Sequence, residues 1–133
     1  MKTLSSIIIA ALLVLVVAIA QGADSDQYTL LGGATSPGAG TPRYVTTPYN
    51  SWTCQVNVSG APTEVVVNLE GNVTGVTFNK MASWTLTADS DYADGQGVFS
   101  VTNMPAGNIR GRLVTLTGGS SPSVTMICKG VQR

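Results

Sequence analysis

The sequence predicts an all-β protein: an antiparallel β-sandwich with either an immunoglobulin-like or a jelly-roll-like arrangement. From Ser51 onward, runs of β-branched and aromatic residues alternate with turn residues roughly every eight to twelve positions, a spacing typical of sandwiches. Within the runs, apolar and polar residues alternate with a period of two, as in strands with one buried face. After the N-terminal apolar run, no segment has the pattern of an ordinary helix.

Residues 1–20 have the features of a secretory signal peptide. Lys2 supplies a positive charge, Ile7 to Ala20 is an unbroken apolar run, and Ala18-Ile19-Ala20 has the small-x-small form that signal peptidase accepts. The run is shorter than the ~20 apolar residues of a spanning helix. We therefore predict a protein that is secreted or held at the cell surface, with no membrane span after cleavage. An uncleaved membrane anchor is the alternative.

Residues 21–50 are predicted to form an irregular N-terminal arm. Their glycines and prolines exclude a long helix, although one short strand fits Tyr28, Thr29, Leu30 and Leu31. We expect this strand to add to the sheet edge of a neighbouring copy and so to act as an assembly arm. The sandwich domain is predicted to follow over residues 51–133.

Each run of the predicted sandwich domain has one apolar face. The polar faces carry mainly Thr, Ser, Asn and Gln, and the runs are separated by turns rich in Gly, Pro and Asn. A further run, from Ile109 to Thr117, ends at a Gly-Gly turn. The inward sets are Trp52, Cys54, Val56 and Val58; Val65, Val67 and Leu69; Ala82, Trp84 and Leu86; Phe99 and Val101; and Val124, Met126 and Cys128.

The two cysteines, Cys54 and Cys128, both fall on apolar strand faces. An even number of cysteines in an exported chain predicts a disulfide. Such a bridge would join the first core strand to the last, and closing a loop of about 75 residues contributes roughly 4 kcal/mol in the chain-entropy model. Two separate buried thiols are the alternative.

Two stretches are similar to a known module. Leu69-Glu70-Gly71, followed by residues 72–78, matches a strand ending in L-E-G and then S-x-D-G-x-x-F, with Thr74-Gly75 in place of D-G. Residues 105–112 match P-x-R-Y-[IV]-R-x-x, with Gly107-Asn108 in place of R-Y, and residues 115–119 resemble T-x-x-T-G-G with one residue fewer between the two threonines. Residues 52–128 therefore resemble a β-sandwich module of bacteriophage virion and tail-associated proteins and of some secreted bacterial surface proteins. The resemblance implies a sandwich used for structure or surface attachment.

The composition argues against an enzyme and against nucleic-acid binding. The chain has no histidine, so an activated serine would lack the usual base. Glu64 and Glu70 share a strand face but would lie roughly 20 Å apart, too far for one scissile bond. Charged residues make up 11% of the chain and balance to zero, with no basic patch to attract phosphates. A surface of such low charge favours a homo-oligomer.

The acidic stretch at Asp89, Asp91 and Asp94 is predicted to be a polar connection between strands. The template of an EF-hand fails, because Ala93 and Ser100 stand at ligand positions. We predict no metal and no cofactor, and a non-standard Ca²⁺ site remains the alternative.

Three tyrosines in predicted loops are candidates for stacking on sugars: Tyr44, Tyr49 and Tyr92. Two N-glycosylation sequons begin at Asn57 and Asn72. The sequence therefore predicts a secreted, non-catalytic structural subunit of an extracellular fibre, sheath or appendage, which assembles through β edges and the N-terminal arm. The alternative is a module or adhesin that binds cell-surface glycans.

Overall fold

The computed structural model describes residues 26–87 and 95–132, and within them every regular element is a β-strand. The predicted signal peptide lies outside the described residues. The part of the chain that is described includes no helix that could cross a lipid bilayer. The strands are β1 (Gln27–Ala34), β2 (Gly38–Ala39), β3 (Arg43–Tyr44), β4 (Ser51–Ser59), β5 (Glu64–Asn72), β6 (Asn79–Thr87), β7 (Gln96–Thr102), β8 (Asn108–Thr117) and β9 (Ser123–Val131).

Two antiparallel sheets form the sandwich. Sheet A has the order β1-β9-β4-β7, and sheet B has the order β2-β8-β5-β6, with β3 also paired to β8. Every pair of neighbouring strands is antiparallel. Most connections cross from one sheet to the other, and this interleaving is the jelly-roll arrangement, in which the short strands β2 and β3 together occupy one edge position of sheet B. The predicted β-sandwich is confirmed, and its jelly-roll form is the one observed.

The period-two pattern correctly assigns the core faces. Trp52, Cys54, Val56, Val65, Val67 and Leu69 are all at most 1% exposed, as are Val124, Met126 and Cys128. Trp84, Phe99 and Val101 are partly buried against this core. Because the side chains of a strand alternate between its two faces, these strands place one row of side chains between the two sheets.

The sandwich begins earlier in the chain than predicted. Within the described part of the predicted arm, β1 pairs with β9 of the same chain, and Leu30 and Leu31 are 2% and 4% exposed. A register shift between Thr29 and Leu31 interrupts the strict alternation of side chains, which allows two consecutive leucines to enter the core. The boundary at residue 51 is therefore wrong as a structural boundary: the gain from burying two leucines draws β1 into the sheet.

Candidate assembly and binding surfaces

The disulfide joins neighbouring strands within sheet A. Cys54 of β4 lies directly opposite Cys128 of β9, with their Cα atoms 4.0 Å apart. Such a short spacing is typical of a facing pair whose backbone groups bond to other strands. Both residues are fully buried, and no cysteine of the chain is free. The predicted bridge is confirmed, and it holds together the two central strands of the sheet.

The packing of β1 against sheet B depends on two glycines, one directly after β2 and one in β8. A Cβ atom on Gly40 would lie 2.0 Å from the carbonyl oxygen of Leu30, and one on Gly111 would lie 2.9 Å from Cγ of Leu31. The backbone N–H of Gly40 bonds to the carbonyl oxygen of Gly111, at 2.8 Å. Any side chain at Gly40 would therefore push against the backbone of β1.

The other two residues of the predicted assembly strand, Tyr28 and Thr29, are less buried than its two leucines. Tyr28 is half-buried and meets the indole of Trp52 edge to face, with ring centroids 6.1 Å apart. Thr29 is exposed, and its carbonyl oxygen accepts a hydrogen bond of 3.4 Å from Nε of Arg43. The two leucines therefore contribute most of the apolar burial of this segment.

Asp26 ties the start of β1 to the loop before β4. Its Oδ2 atom accepts hydrogen bonds from the hydroxyl of Tyr49 and from Oγ1 of Thr47, the latter at 3.0 Å. The bond to Asp26 raises the pKa of Tyr49 above its ordinary value of 10.0, and burial adds to this effect. Burial, followed by the nearby charge of Asp26, likewise raises the pKa of Tyr28.

The three candidate tyrosines for glycan stacking have different environments. Tyr49 is 8% exposed and packs against Trp52, with ring centroids 5.5 Å apart. It is therefore a core residue, and its assignment as a sugar-binding candidate is wrong. Tyr44 lies on β3 and is 72% exposed, beside a shallow depression that Arg43 and Gln27 also line. Tyr92 lies outside the described residues, as does the acidic cluster of Asp89, Asp91 and Asp94.

A charged cluster that sequence reasoning missed lies on the outer face of sheet B. Glu70 is 7% exposed, and its two carboxylate oxygens accept hydrogen bonds from Nε of Arg110, at 2.7 Å, and of Arg112, at 2.8 Å. The guanidinium of Arg110 also covers the ring of Phe78, 4.1 Å from its centroid. The sequence shows that the two arginines are two residues apart and so share a strand face. It does not show which strand lies beside them.

The two sequons differ in accessibility. Asn57 is half-buried, and its Oδ1 atom accepts a hydrogen bond from Gln55. Asn72 is 6% exposed, and its Oδ1 atom accepts bonds from Gly75 and Asn108. The Nδ2 atom of Asn72, which glycosylation would modify, is buried and has no partner among the described residues. A glycan at Asn72 is incompatible with this packing.

Together, these features define a disulfide-bonded jelly-roll module whose first described strand, β1, lies at the edge of one sheet. No protein-family model matches the sequence, and no curated protein matches it. Among solved structures, the SPBc2 prophage-derived protein YomS is similar over 80% of this chain and 94% of its own, with 15% identity and a TM-score of 0.52. The PBSX exported protein XepA is similar over 82% of this chain, with 13% identity and a TM-score of 0.56.

These likenesses establish a shared fold. This chain corresponds to 38% of XepA, so it matches one part of that longer protein. The resemblance to a β-sandwich module of phage-derived proteins is thus confirmed at the level of the fold.

Proposed function

We propose that the chain is a secreted, non-catalytic structural subunit of an extracellular fibre, sheath or appendage, and that copies are linked by exchange of β1. The observation that supports this proposal most directly is the position of β1. It lies at the edge of sheet A, pairs with β9 through an interrupted register, and buries Leu30 and Leu31. A terminal strand of this kind can fill the same place in a neighbouring sandwich.

The connection after β1 is suited to such an exchange. Residues 35–37 link β1 in sheet A to β2 in sheet B, so the chain reverses between the sheets over a very short segment. Short hinges between a terminal strand and its domain favour strand exchange, because extending the hinge relieves the tight reversal. Exchange keeps the contacts of β1, and the peptide chain between β1 and β2 then runs from one sandwich to the next.

Paired cysteines across β1 and β9 test the exchange. Gln27 faces Lys129 in the register of the two strands, and both side chains are exposed. In assembled particles of the variant Gln27→Cys/Lys129→Cys, oxidation should link different chains and give a ladder on a non-reducing denaturing gel. The matched control, Gln27→Cys/Thr125→Cys, places its thiols out of register and should give no ladder.

One outcome would contradict the exchange of β1, and another would contradict the structural role. Cross-links confined to single chains within particles would eliminate the exchange of β1. A protein that forms no particles at any concentration, by light scattering and electron microscopy, would overturn the structural role itself.

A second function, glycan binding, is favoured by Tyr44. Its ring is 72% exposed beside Arg43 and Gln27, an aromatic surface with polar neighbours of the kind on which sugar rings stack. A glycan array compares the wild-type protein with Tyr44→Ala and with the control Val76→Ala, which removes another exposed apolar side chain. Binding that only Tyr44→Ala abolishes would support this function, whereas a blank array would exclude it.

A further inference from the structure

The edges of the two sheets are not equally protected against pairing with another strand. Exposed edges are usually blocked by bulges, proline, charge or short length. In sheet B, β2 and β3 are two residues long each and are separated by Pro42. On the other edge of that sheet, β6 carries Lys80 and a register shift against β5. In sheet A, β1 has two register shifts, and Arg43 covers the carbonyl of Thr29.

The fourth edge, β7, has none of these features. Its seven residues contain no charged side chain and no proline, and they pair with β4 without any register shift. Within the described residues, β4 is the only strand that pairs with β7. Val98, on the outer face, is 65% exposed. This strand is the flat, uncharged edge that a soluble monomer normally avoids.

The pairing with β4 determines which backbone groups of β7 are free. The N–H of Val58 bonds to the carbonyl oxygen of Gly95, at 2.6 Å, which continues the register of the two strands. Because hydrogen-bonded pairs alternate along an antiparallel ladder, the odd-numbered residues of β7 bond to β4. The even-numbered residues therefore present their N–H and C=O groups to the open edge: Gln96, Val98, Ser100 and Thr102.

We propose that this edge binds β7 of a second copy of the chain, antiparallel and related by a two-fold axis at Phe99. In this register, Gln96 pairs with Thr102 of the second copy, and Val98 pairs with Ser100 of the second copy. Shifting the register by one hydrogen-bonded pair in either direction leaves an end residue without a partner. The centred register thus satisfies every free backbone group of the edge, and sheet A continues across both copies.

The side chains of β7 are compatible with self-pairing. A two-fold axis brings identical strands together, and like charges opposite each other would be repulsive, but β7 carries no charge. Phe99, which is half-buried against the core, would face its own copy across the axis at a close, non-hydrogen-bonded position where aromatic pairs are favourable. The indole of Trp84 already fills the space above Gly97, where a Cβ atom would lie 2.2 Å from the ring.

This contact rests on the proposed assembly and adds a second interface to it. An isologous contact closes on itself and forms a pair, whereas strand exchange propagates from copy to copy. The two interfaces can therefore be separated experimentally. When Gln27→Cys/Lys129→Cys is oxidised and the protein with its new disulfide inside one chain is purified, β1 is held in its own sandwich. Any association of this protein must then use another surface.

The test is the mass of this locked protein by sedimentation velocity across a concentration series. We expect a species of twice the chain mass. Val98→Pro in the same background should abolish it, because proline removes an N–H that faces the open edge and leaves the bonds to β4 intact. Val98→Thr, which retains the N–H, should associate like the parent. Circular dichroism verifies that each variant is folded.

Cysteines on the outer face test the register independently of proline. Val98→Cys/Ser100→Cys should cross-link two chains, since these positions face each other across the axis. Val98→Cys/Thr102→Cys should not, because its thiols are out of register. A locked parent that remains monomeric, or cross-linking that is equal in the two variants, would overturn the β7 contact and leave β1 exchange untouched. Pairing through β7 without a β1 ladder would support this inference while contradicting the exchange.

Discussion

At the scale of single residues, most charged side chains within residues 26–87 and 95–132 make specific contacts. Glu70 is buried on the outer face of sheet B beside two arginines that bond to its carboxylate, and one of them, Arg110, also packs on the ring of Phe78. Hydrogen bonds to charged groups are worth more than neutral ones, and a buried carboxylate without them is strongly unfavourable. This cluster therefore stabilises the pairing of β5 with β8.

Replacing the two arginines should have unequal effects. Arg110→Met should lower the free energy of unfolding by about 1.5–3 kcal/mol, because it removes a charged hydrogen bond and the contact with Phe78. Arg112→Met should cost less, since the side chain of Arg112 is 40% exposed, compared with 20% for Arg110. Urea denaturation measures both, with the exposed Lys129→Met as control. Equal losses for all three would contradict the role assigned to the cluster.

The bond between Tyr49 and Asp26 should make the protein sensitive to alkaline pH. The raised pKa of Tyr49 means that the unfolded chain loses the hydroxyl proton first, near the ordinary value of 10.0. The stabilisation is therefore complete below about pH 10 and is lost as pH rises through the folded pKa. The urea midpoint of the wild type should fall more steeply above pH 10 than that of Tyr49→Phe. Parallel curves would contradict this assignment.

At the scale of elements, β1 and β7 are edge strands of the same sheet with opposite properties. β1 contributes Leu30 and Leu31 to the core but has an interrupted register, whereas β7 pairs regularly and has an uncharged edge with no second partner among the described strands. Between them, β9 and β4 are joined by the disulfide. A disulfide-bonded centre, flanked by one edge strand with an interrupted register and one with a regular register, suits a module that binds strands of other copies.

Placing a side chain at Gly40 should weaken the packing of β1 more than that of the other strands. Gly40→Ala should destabilise the protein by about 1–3 kcal/mol, because its Cβ atom would lie 2.0 Å from the backbone of Leu30. Gly38→Ala is the matched control, since a Cβ atom there meets nothing within 4 Å. Hydrogen exchange should show faster exchange in β1 for Gly40→Ala alone. Unchanged protection in β1 would contradict the proposed packing.

At the scale of the whole molecule, we propose a sandwich that assembles through backbone pairing rather than through charge. Charged residues are 11% of the chain, and the formal net charge is zero. The contacts proposed for β1 and β7 consist of backbone hydrogen bonds and apolar side chains. This combination determines how assembly should respond to solution conditions.

Assembly should be nearly insensitive to salt. Raising the ionic strength from ~0.1 M to ~1 M shortens the Debye length from about 10 Å to about 3 Å, which weakens interactions between exposed charges. The concentration at which particles form, followed by light scattering, should change by less than about threefold. Dissociation at high salt would show that charged contacts hold the copies together, contrary to both proposed interfaces.

The sequence by itself determined the fold class, the buried face of most strands and the disulfide. These features follow from local alternation, since the period of two places Trp52, Cys54 and Cys128 on inward faces before any pairing is known. The sequence also indicated a strand at Tyr28 to Leu31. It suggested the wrong environment for Tyr49, because a position in a loop says little about what packs over the ring.

The tertiary structure alone decided which strands are neighbours. The pairing of β5 with β8 brings Glu70 to Arg110 and Arg112 across some forty residues of chain, and no local pattern encodes that register. The same is true of β1, whose place beside β9 depends on two leucines fitting above Gly40 and Gly111. It is also true of the open edge of β7, because an edge is defined by the absence of a neighbour. Burial faces are properties of a strand, whereas sites and edges are properties of how strands are ordered in space.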